Sequence, residues 1–263
     1  MTAKPAHLSA EYAAQFADRA VVAAYRARPP YPEEVFEILE SLLPAGGARV
    51  LELGCGSGDL TLGLSPRVAA LDALEISEPM LERARARAGA RHSNVTWISG
   101  AAESFEPAAS YSQIVAAESL HWMDWDVVLP RCARWLDARG WLAVVDGRLL
   151  GPLPWDAELR ALISSHSTNR DFAPFDLIGE LTRRSLFREA GRRRTAPIAL
   201  EQSADDYVES FHSRNGFSRE RMTAESAADF GRSLRAAVLR HAPDGIVRAS
   251  LSALVVWGRP LAR

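Results

Sequence analysis

ARVLELGCGSGDLTLGL, residues 48–64, decides the fold. An apolar run ends at Glu52-Leu53, three glycines alternate with Cys55 and Ser57, and a helical pattern starts at Asp59. Reading outward, RVAALDALEI (67–76) is a second apolar strand, and SEPMLERARARA (77–88) is a helix with Ser77 as cap and Pro79 in its first turn. NVTWIS (94–99) and SQIVAAE (112–118) are short strands. DVVLPRCARWLDA (126–138) is a helix and WLAVVDGRLL (141–150) a fifth strand. Strands that are apolar throughout and alternate with helices predict a doubly wound, mostly parallel α/β sheet covered on both faces.

The flanks follow different patterns. EYAAQFADRAVVAAYRARPPYP reads as a helix stopped by Pro29, Pro30 and Pro32, and EEVFEILESLL (33–43) as a second one. Residues 151–192 look helical, with loop signals around His166–Pro174; RTAPIALEQS (194–203) suits a strand and DDYVESFHSR (205–214) a helix. ASLSALVVWGRP (249–260) reads as a last strand. The intervening helices are too many to cover the sheet alone, so part of them is expected to form a cap over its carboxyl edge.

Composition excludes several classes of function. Lys and Arg total 31 against 33 Asp and Glu, so no global field draws the chain to nucleic acid or an anionic membrane. The arginines around 183–194 are read as a solvated helix end. Two cysteines, Cys55 and Cys132, make no disulfide framework, and no His or Cys spacing suits a metal. No apolar run reaches the roughly 18 residues of a membrane span. The N-terminal MTAKPAHLSAEYAAQF lacks an uninterrupted apolar stretch, so a cytoplasmic location is expected.

In doubly wound sheets, ligands sit outside the carboxyl ends of the strands. Gly54, Gly56 and Gly58 let the backbone bend and approach a ligand closely. Glu75, at the end of the second strand, is placed to accept two ribose hydroxyls. A dinucleotide fingerprint would need glycine at position 59, where Asp59 stands. Glu52 and Asp59 beside the turn suit a positively charged ligand better than a pyrophosphate, which favours S-adenosylmethionine over NAD.

VLELGCGSG followed by ALEISEPMLERAR resembles the first two motifs of class I S-adenosylmethionine-dependent methyltransferases, and WISGAAESF resembles the third. The family usually has aspartate where Ala101 stands, and again where Gln113 stands. The resemblance implies the class I methyltransferase fold. It also implies a cofactor site of Glu52, Gly54, Cys55, Gly56, Gly58, Glu75, Ile76, Met80, Ala102, Glu103 and Ala117, with Glu52 at the methionine end and Glu103 or backbone atoms at the adenine. YRARPPYP together with AAESLHWMD resembles a small-molecule branch that includes trans-aconitate-type methyltransferases. It implies that Tyr25, Arg28 and Tyr31 belong to an N-terminal lid over cofactor and acceptor. The expected division is 1–47 lid, 48–150 cofactor-binding core, 151–248 helical cap and sheet-completing segment, and 249–263 final strand.

Methyl transfer from a sulfonium needs alignment and exclusion of water more than it needs an acid. His121, just past the fourth strand, is the acceptor-side candidate for catalysis. It reads either as a base or as a wall of the pocket that orients the acceptor. Trp122 either lines the acceptor pocket or packs. Tyr207, Phe211 and Arg214 share one helical face, which either closes the acceptor pocket or packs as an ordinary amphipathic helix. The expected partner is a small-molecule acceptor, without nucleic acid, membrane or metal, for a monomer or homodimer. Rival readings on the same fold are an RNA or protein methyltransferase, with an open basic groove, and a cofactor-binding protein that no longer methylates.

Overall fold

A computed structural model describes residues 4–262. Among the described residues there are eight strands: β1 (Arg49–Leu53), β2 (Ala70–Glu75), β3 (Val95–Ser99), β4 (Tyr111–Ala117), β5 (Leu136–Leu150), β6 (Phe187–Arg194), β7 (Ile198–Ser203) and β8 (Ile246–Pro260). The chain forms two compact units, one of Tyr31–Leu149, Pro174–Ala196 and Ser252–Arg263, the other of Met1–Pro30, Leu150–Ala173 and Pro197–Leu251. The sequence reading separated an N-terminal lid from a helical cap; in the structure, residues up to Pro30 group with the helices that follow β5.

In the α/β unit the strand order is β3-β2-β1-β4-β5-β8-β6. β1 pairs parallel with β2 and with β4, β2 with β3, and β4 with β5, while β6 runs antiparallel to β8. Strand order reverses beside β1, so the ends of β1 and β4 open the crevice where such sheets bind ligands. The core combines Val50, Leu71, Val115, Ala143 and Val255 from the sheet with Val35, Leu39, Leu60 and Leu81 from helices. The helix Glu78–Ala88 starts where Ser77 Oγ accepts the Met80 N–H, and it stops at Gly89, whose φ of 55° suits glycine.

Two elements differ from their sequence reading. The arginine-rich stretch 187–194 is strand β6, not a helix end. Its pairing with β8 overrides a pattern that lacks apolar alternation, and Gly191 admits the Trp257 ring where a Cβ would lie 2.5 Å away. Arg183 and Arg184 pair with Glu180, Arg192 with Glu189 and Arg193 with Glu34, so that stretch is not an uncompensated basic surface. The first predicted helix is broken at Asp18, which is extended. There its carboxylate accepts from Ser218 Oγ at 2.7 Å and Arg221 Nε at 2.8 Å. Gln113 lies in mid-strand, fully buried, and donates to the Leu39 carbonyl at 3.1 Å.

The helical unit has its own core of Trp155, Tyr207, Phe211, Phe217, Phe230 and Leu234, with β7 antiparallel to the first part of β8. The N-terminal segment is fastened into it by polar contacts. Gln15 Oε1 accepts from Gly216 N at 3.0 Å, Asn169 Nδ2 donates to the His7 carbonyl, and Gln202 Nε2 donates to the Ala27 carbonyl at 2.6 Å. No helix among the described residues is long and apolar enough to cross a membrane.

At the amino ends of the strands, buried Asp72 accepts from Arg49 Nη2 and from Tyr111 Oη, each at 2.7 Å. Tyr111 is fully buried, and burial with the neighbouring carboxylate pushes its hydroxyl well above the ordinary tyrosine range, so it stays a donor. Tyr111→Phe removes that donor and is expected to cost about 1–2 kcal/mol in urea denaturation, with the fold retained. An unchanged midpoint would show that Arg49 alone satisfies Asp72.

Candidate active site

The carboxyl ends of β1, β2 and β4 are laced together through the glycine turn. Gly54 and Cys55 donate their N–H groups to the Leu74 carbonyl at 2.8 and 3.0 Å. Gly54, Gly56 and Gly58 have φ values of 72°, 54° and 81°, a region that costs other L-residues roughly 1–2 kcal/mol. A Cβ on Gly54 would lie 2.6 Å from Ser119 Cβ, so this glycine is required by the passage of the β4 end as well as by its dihedral. Ser119 Oγ then donates to the Leu53 carbonyl at 2.5 Å and fixes that approach.

Glu75 closes the turn. Its Oε2 accepts the Gly56 N–H and its Oε1 the Ser77 N–H, both at 2.8 Å. Burial pushes its carboxyl up, while the N–H groups of Ser77, Gly56 and Ile76 pull it back down. Each oxygen keeps acceptor capacity beyond these bonds, enough for two hydroxyls. The next residue, Ile76, is 72% exposed, one of few large apolar side chains in that state. A buried carboxylate beside a bare apolar surface fits a nucleoside: hydroxyls on the first, a flat base on the second.

Glu52 is buried and accepts from Thr61 Oγ1 at 2.6 Å. Desolvation pushes its carboxyl up to about 8 against the pull of Thr61, and Asp59 and Glu75 add to the rise. Asp59 is paired with Arg87 Nη1 at 2.5 Å, which also donates to the Ser57 carbonyl. The two acidic side chains flanking the turn therefore differ: Asp59 is ion-paired, while Glu52 is buried and held toward its neutral form.

Other expected cofactor residues are placed differently. The Cys55 side chain belongs to the core, so only its backbone is available to a ligand. Met80 is 1% exposed and backs the wall from inside. Ala102 and Ala117 are buried, and Glu103 Oε1 accepts the Asp124 N–H at 2.8 Å, bracing the start of the helix Trp125–Trp135.

His121 and Trp122 lie in a short 3-10 turn, half-buried, with ring centroids 4.8 Å apart. Tyr31 belongs to the same unit: its hydroxyl donates to Glu118 Oε2 at 3.5 Å, and the edge of its ring abuts Gly147, where a Cβ would be 2.3 Å from Cε1. Glu118 and Asp146 escaped the sequence reading, although Glu118 opens the ESLHWMDW stretch and each ends an apolar run. Asp146 is exposed at the rim, yet its surroundings partly desolvate it; that and the charge of Glu118 raise its carboxyl, against Arg194.

The remaining expected acceptor residues fall in the helical unit. Arg28 stacks on Tyr25, 4.1 Å from the ring centroid, and donates to Ser213 Oγ and its carbonyl at 2.8 and 2.7 Å. Tyr207 and Phe211 are 1% exposed and pack within the aromatic core. Arg214 covers the Phe211 ring at 4.1 Å. Among the described residues, no group of three or more His, Cys, Asp or Glu could hold a metal ion.

The pH dependence of Glu52 is a direct test of this burial. Its folded pKa of about 8 exceeds the free value of 4.5, so its contribution to stability is full below about 4.5 and is lost as pH climbs through about 8. Denaturation of Glu52→Gln across that window is expected to show a flatter profile than wild type. Parallel profiles would mean that Glu52 is solvated.

Residues 50–140 match the family model of the methyltransferase domain. An uncharacterized methyltransferase of Mycobacterium tuberculosis is 35% identical over 144 residues, which cover 55% of this chain and 57% of the relative. A ubiquinone biosynthesis O-methyltransferase of Bradyrhizobium diazoefficiens is 31% identical over 107 residues, 40% of this chain and 42% of that one. The matched segments thus span about half the length of these curated relatives. A solved structure described as a candidate type II methyltransferase from Anaeromyxobacter dehalogenans superposes with a TM-score of 0.62 at 27% identity, covering 90% of this chain and 99% of that one. The glycine turn, the strand order and these likenesses agree on a Rossmann-like methyltransferase fold, with residues 50–140 matching the methyltransferase domain.

Proposed function

We propose that the protein transfers a methyl group from S-adenosylmethionine to an oxygen or nitrogen of a small metabolite. The observation that carries this reading is Glu75, a buried carboxylate bonded to the Gly56 N–H at the mouth of the crevice and followed by exposed Ile76. Bound S-adenosylmethionine supplies an electrophilic methyl group on a sulfonium. The chain's own residues have to hold, align and keep dry.

Glu75 would take the ribose hydroxyls, with charge-assisted hydrogen bonds each stronger than a neutral one. Ile76 would lie against the base. Glu52 would serve the amino-acid end, where a nearby ammonium favours its ionised form. Gly54 and Gly56 keep side chains out of the approach. On the acceptor side, His121 and Trp122 form wall, and Tyr31 stands over the ends of β4 and β5. A carboxylate acceptor is already nucleophilic; a hydroxyl or amine has to be oriented and relieved of its proton.

Calorimetry with S-adenosylhomocysteine tests the cofactor assignment. Glu75→Ala is expected to weaken binding about 10- to 100-fold, the loss of one or two hydrogen bonds to a charged acceptor. Equal affinity in wild type and variant would remove Glu75 from the ribose site.

A further inference from the structure

The turn after the helix Ala204–Phe211 contains Asn215-Gly216, the one asparagine-glycine pair in the chain. The other two asparagines, Asn94 and Asn169, precede Val95 and Arg170. An asparagine-glycine pair carries its own chemistry: the glycine nitrogen, unshielded by a Cβ, can attack the carboxamide carbon before it. The fold leaves residue 216 no alternative to glycine. Its φ is 86°, and a Cβ there would run into Ser167 Oγ and come within 3.2 Å of the Asn169 nitrogen. The reactive pair is therefore built into the turn.

Both reacting groups are tied up, and the N-terminal segment does much of the tying. Gly216 is buried, and its N–H donates to Gln15 Oε1 at 3.0 Å, which holds the proton that must leave before the nitrogen attacks. The Asn215 carboxamide donates through Nδ2 to the Tyr12 carbonyl at 2.9 Å and accepts from Asn169 Nδ2 through Oδ1. Gln15 Nε2 donates to the same Tyr12 carbonyl at 2.8 Å. One short stretch of the segment thus grips nucleophile and electrophile together. The Gly216 carbonyl is held as well, by the Thr168 N–H at 2.9 Å and Thr168 Oγ1 at 3.2 Å. All these residues belong to the helical unit.

We infer that Asn215-Gly216 is a latent deamidation site that the N-terminal segment keeps silent, and that it converts when residues 12–15 let go. With the segment detached, base in the solvent removes the Gly216 amide proton and the nitrogen attacks Asn215 Cγ. The new C–N bond closes a succinimide ring, the Cγ–Nδ2 bond breaks, and ammonia leaves with a proton from solvent. Water then opens the ring at either carbonyl, giving aspartate or isoaspartate; no oxidant takes part. The product carboxylate accepts hydrogen bonds but cannot donate one. It offers nothing to the Tyr12 carbonyl, so the segment does not return to its seat. A reversible detachment becomes a one-way change.

Ageing in mildly alkaline buffer, then cleavage after glutamate and mass spectrometry of residues 210–220, reads the conversion. Native wild type is expected to keep Asn215 intact over a time in which the urea-unfolded chain converts it. Equal rates in the two states would overturn the guarding. Gln15→Ala removes the acceptor of the Gly216 N–H and is expected to speed native conversion about tenfold, the loss of roughly one hydrogen bond from the closed state. Val238→Ala trims the apolar core of the same unit, keeps every one of these hydrogen-bonding groups, and is expected to stay close to the wild-type rate. An unchanged rate in Gln15→Ala, or an equal rise in Val238→Ala, would overturn the role of the segment. Asn215→Asp installs the carboxylate directly and is expected to speed amide hydrogen exchange over residues 10–17. Exchange there as slow as in wild type would overturn the one-way release.

Discussion

The bond from the Gly56 N–H to the Glu75 carboxylate is the constraint on which the site depends. It joins the turn after β1 to the tip of β2 and leaves a carboxylate buried at the switch in strand order. A carboxylate in that position needs donors, and Gly56 and Ser77 supply two of them. Remove the carboxylate and the turn loses its brace.

The same economy governs the rim formed by β4. Gly54 lacks a side chain because Ser119 occupies its space, and Ser119 in turn fastens the β1 end through Leu53. With residue 119 locked, residue 118 is forced into a left-handed conformation. Gly147 repeats the arrangement on β5, giving its volume to Tyr31. Gly54 in the turn after β1 and Gly147 within β5 thus make room for Ser119 and Tyr31 at the carboxyl edge.

Much of this was legible in the chain itself. The alternation of apolar runs with helices predicted the sheet. Ile76 was expected at the site, and its exposure agrees with an apolar surface beside the carboxylate. What stayed hidden depended on dihedrals and on pairing. Nothing in the letters shows that Glu118 has positive φ, or that FREAGRRR becomes a strand because β8 lies beside it. Tyr207 and Phe211 carry the period of a pocket-lining face and of a buried one equally well; only the aromatic core around Trp155 and Phe230 distinguishes them. Cys55 and Met80 fall in motif positions, yet the core takes up their side chains.

The central claim is that this crevice is built for a sulfonium nucleoside and not for a dinucleotide. Thermal melting of the wild-type protein with saturating S-adenosylhomocysteine, and separately with NAD, tests it most directly. The account predicts a rise of several degrees with S-adenosylhomocysteine, as a ligand at about 100 times its Kd adds about 2.7 kcal/mol, and no shift with NAD. A rise with NAD and none with S-adenosylhomocysteine would contradict it.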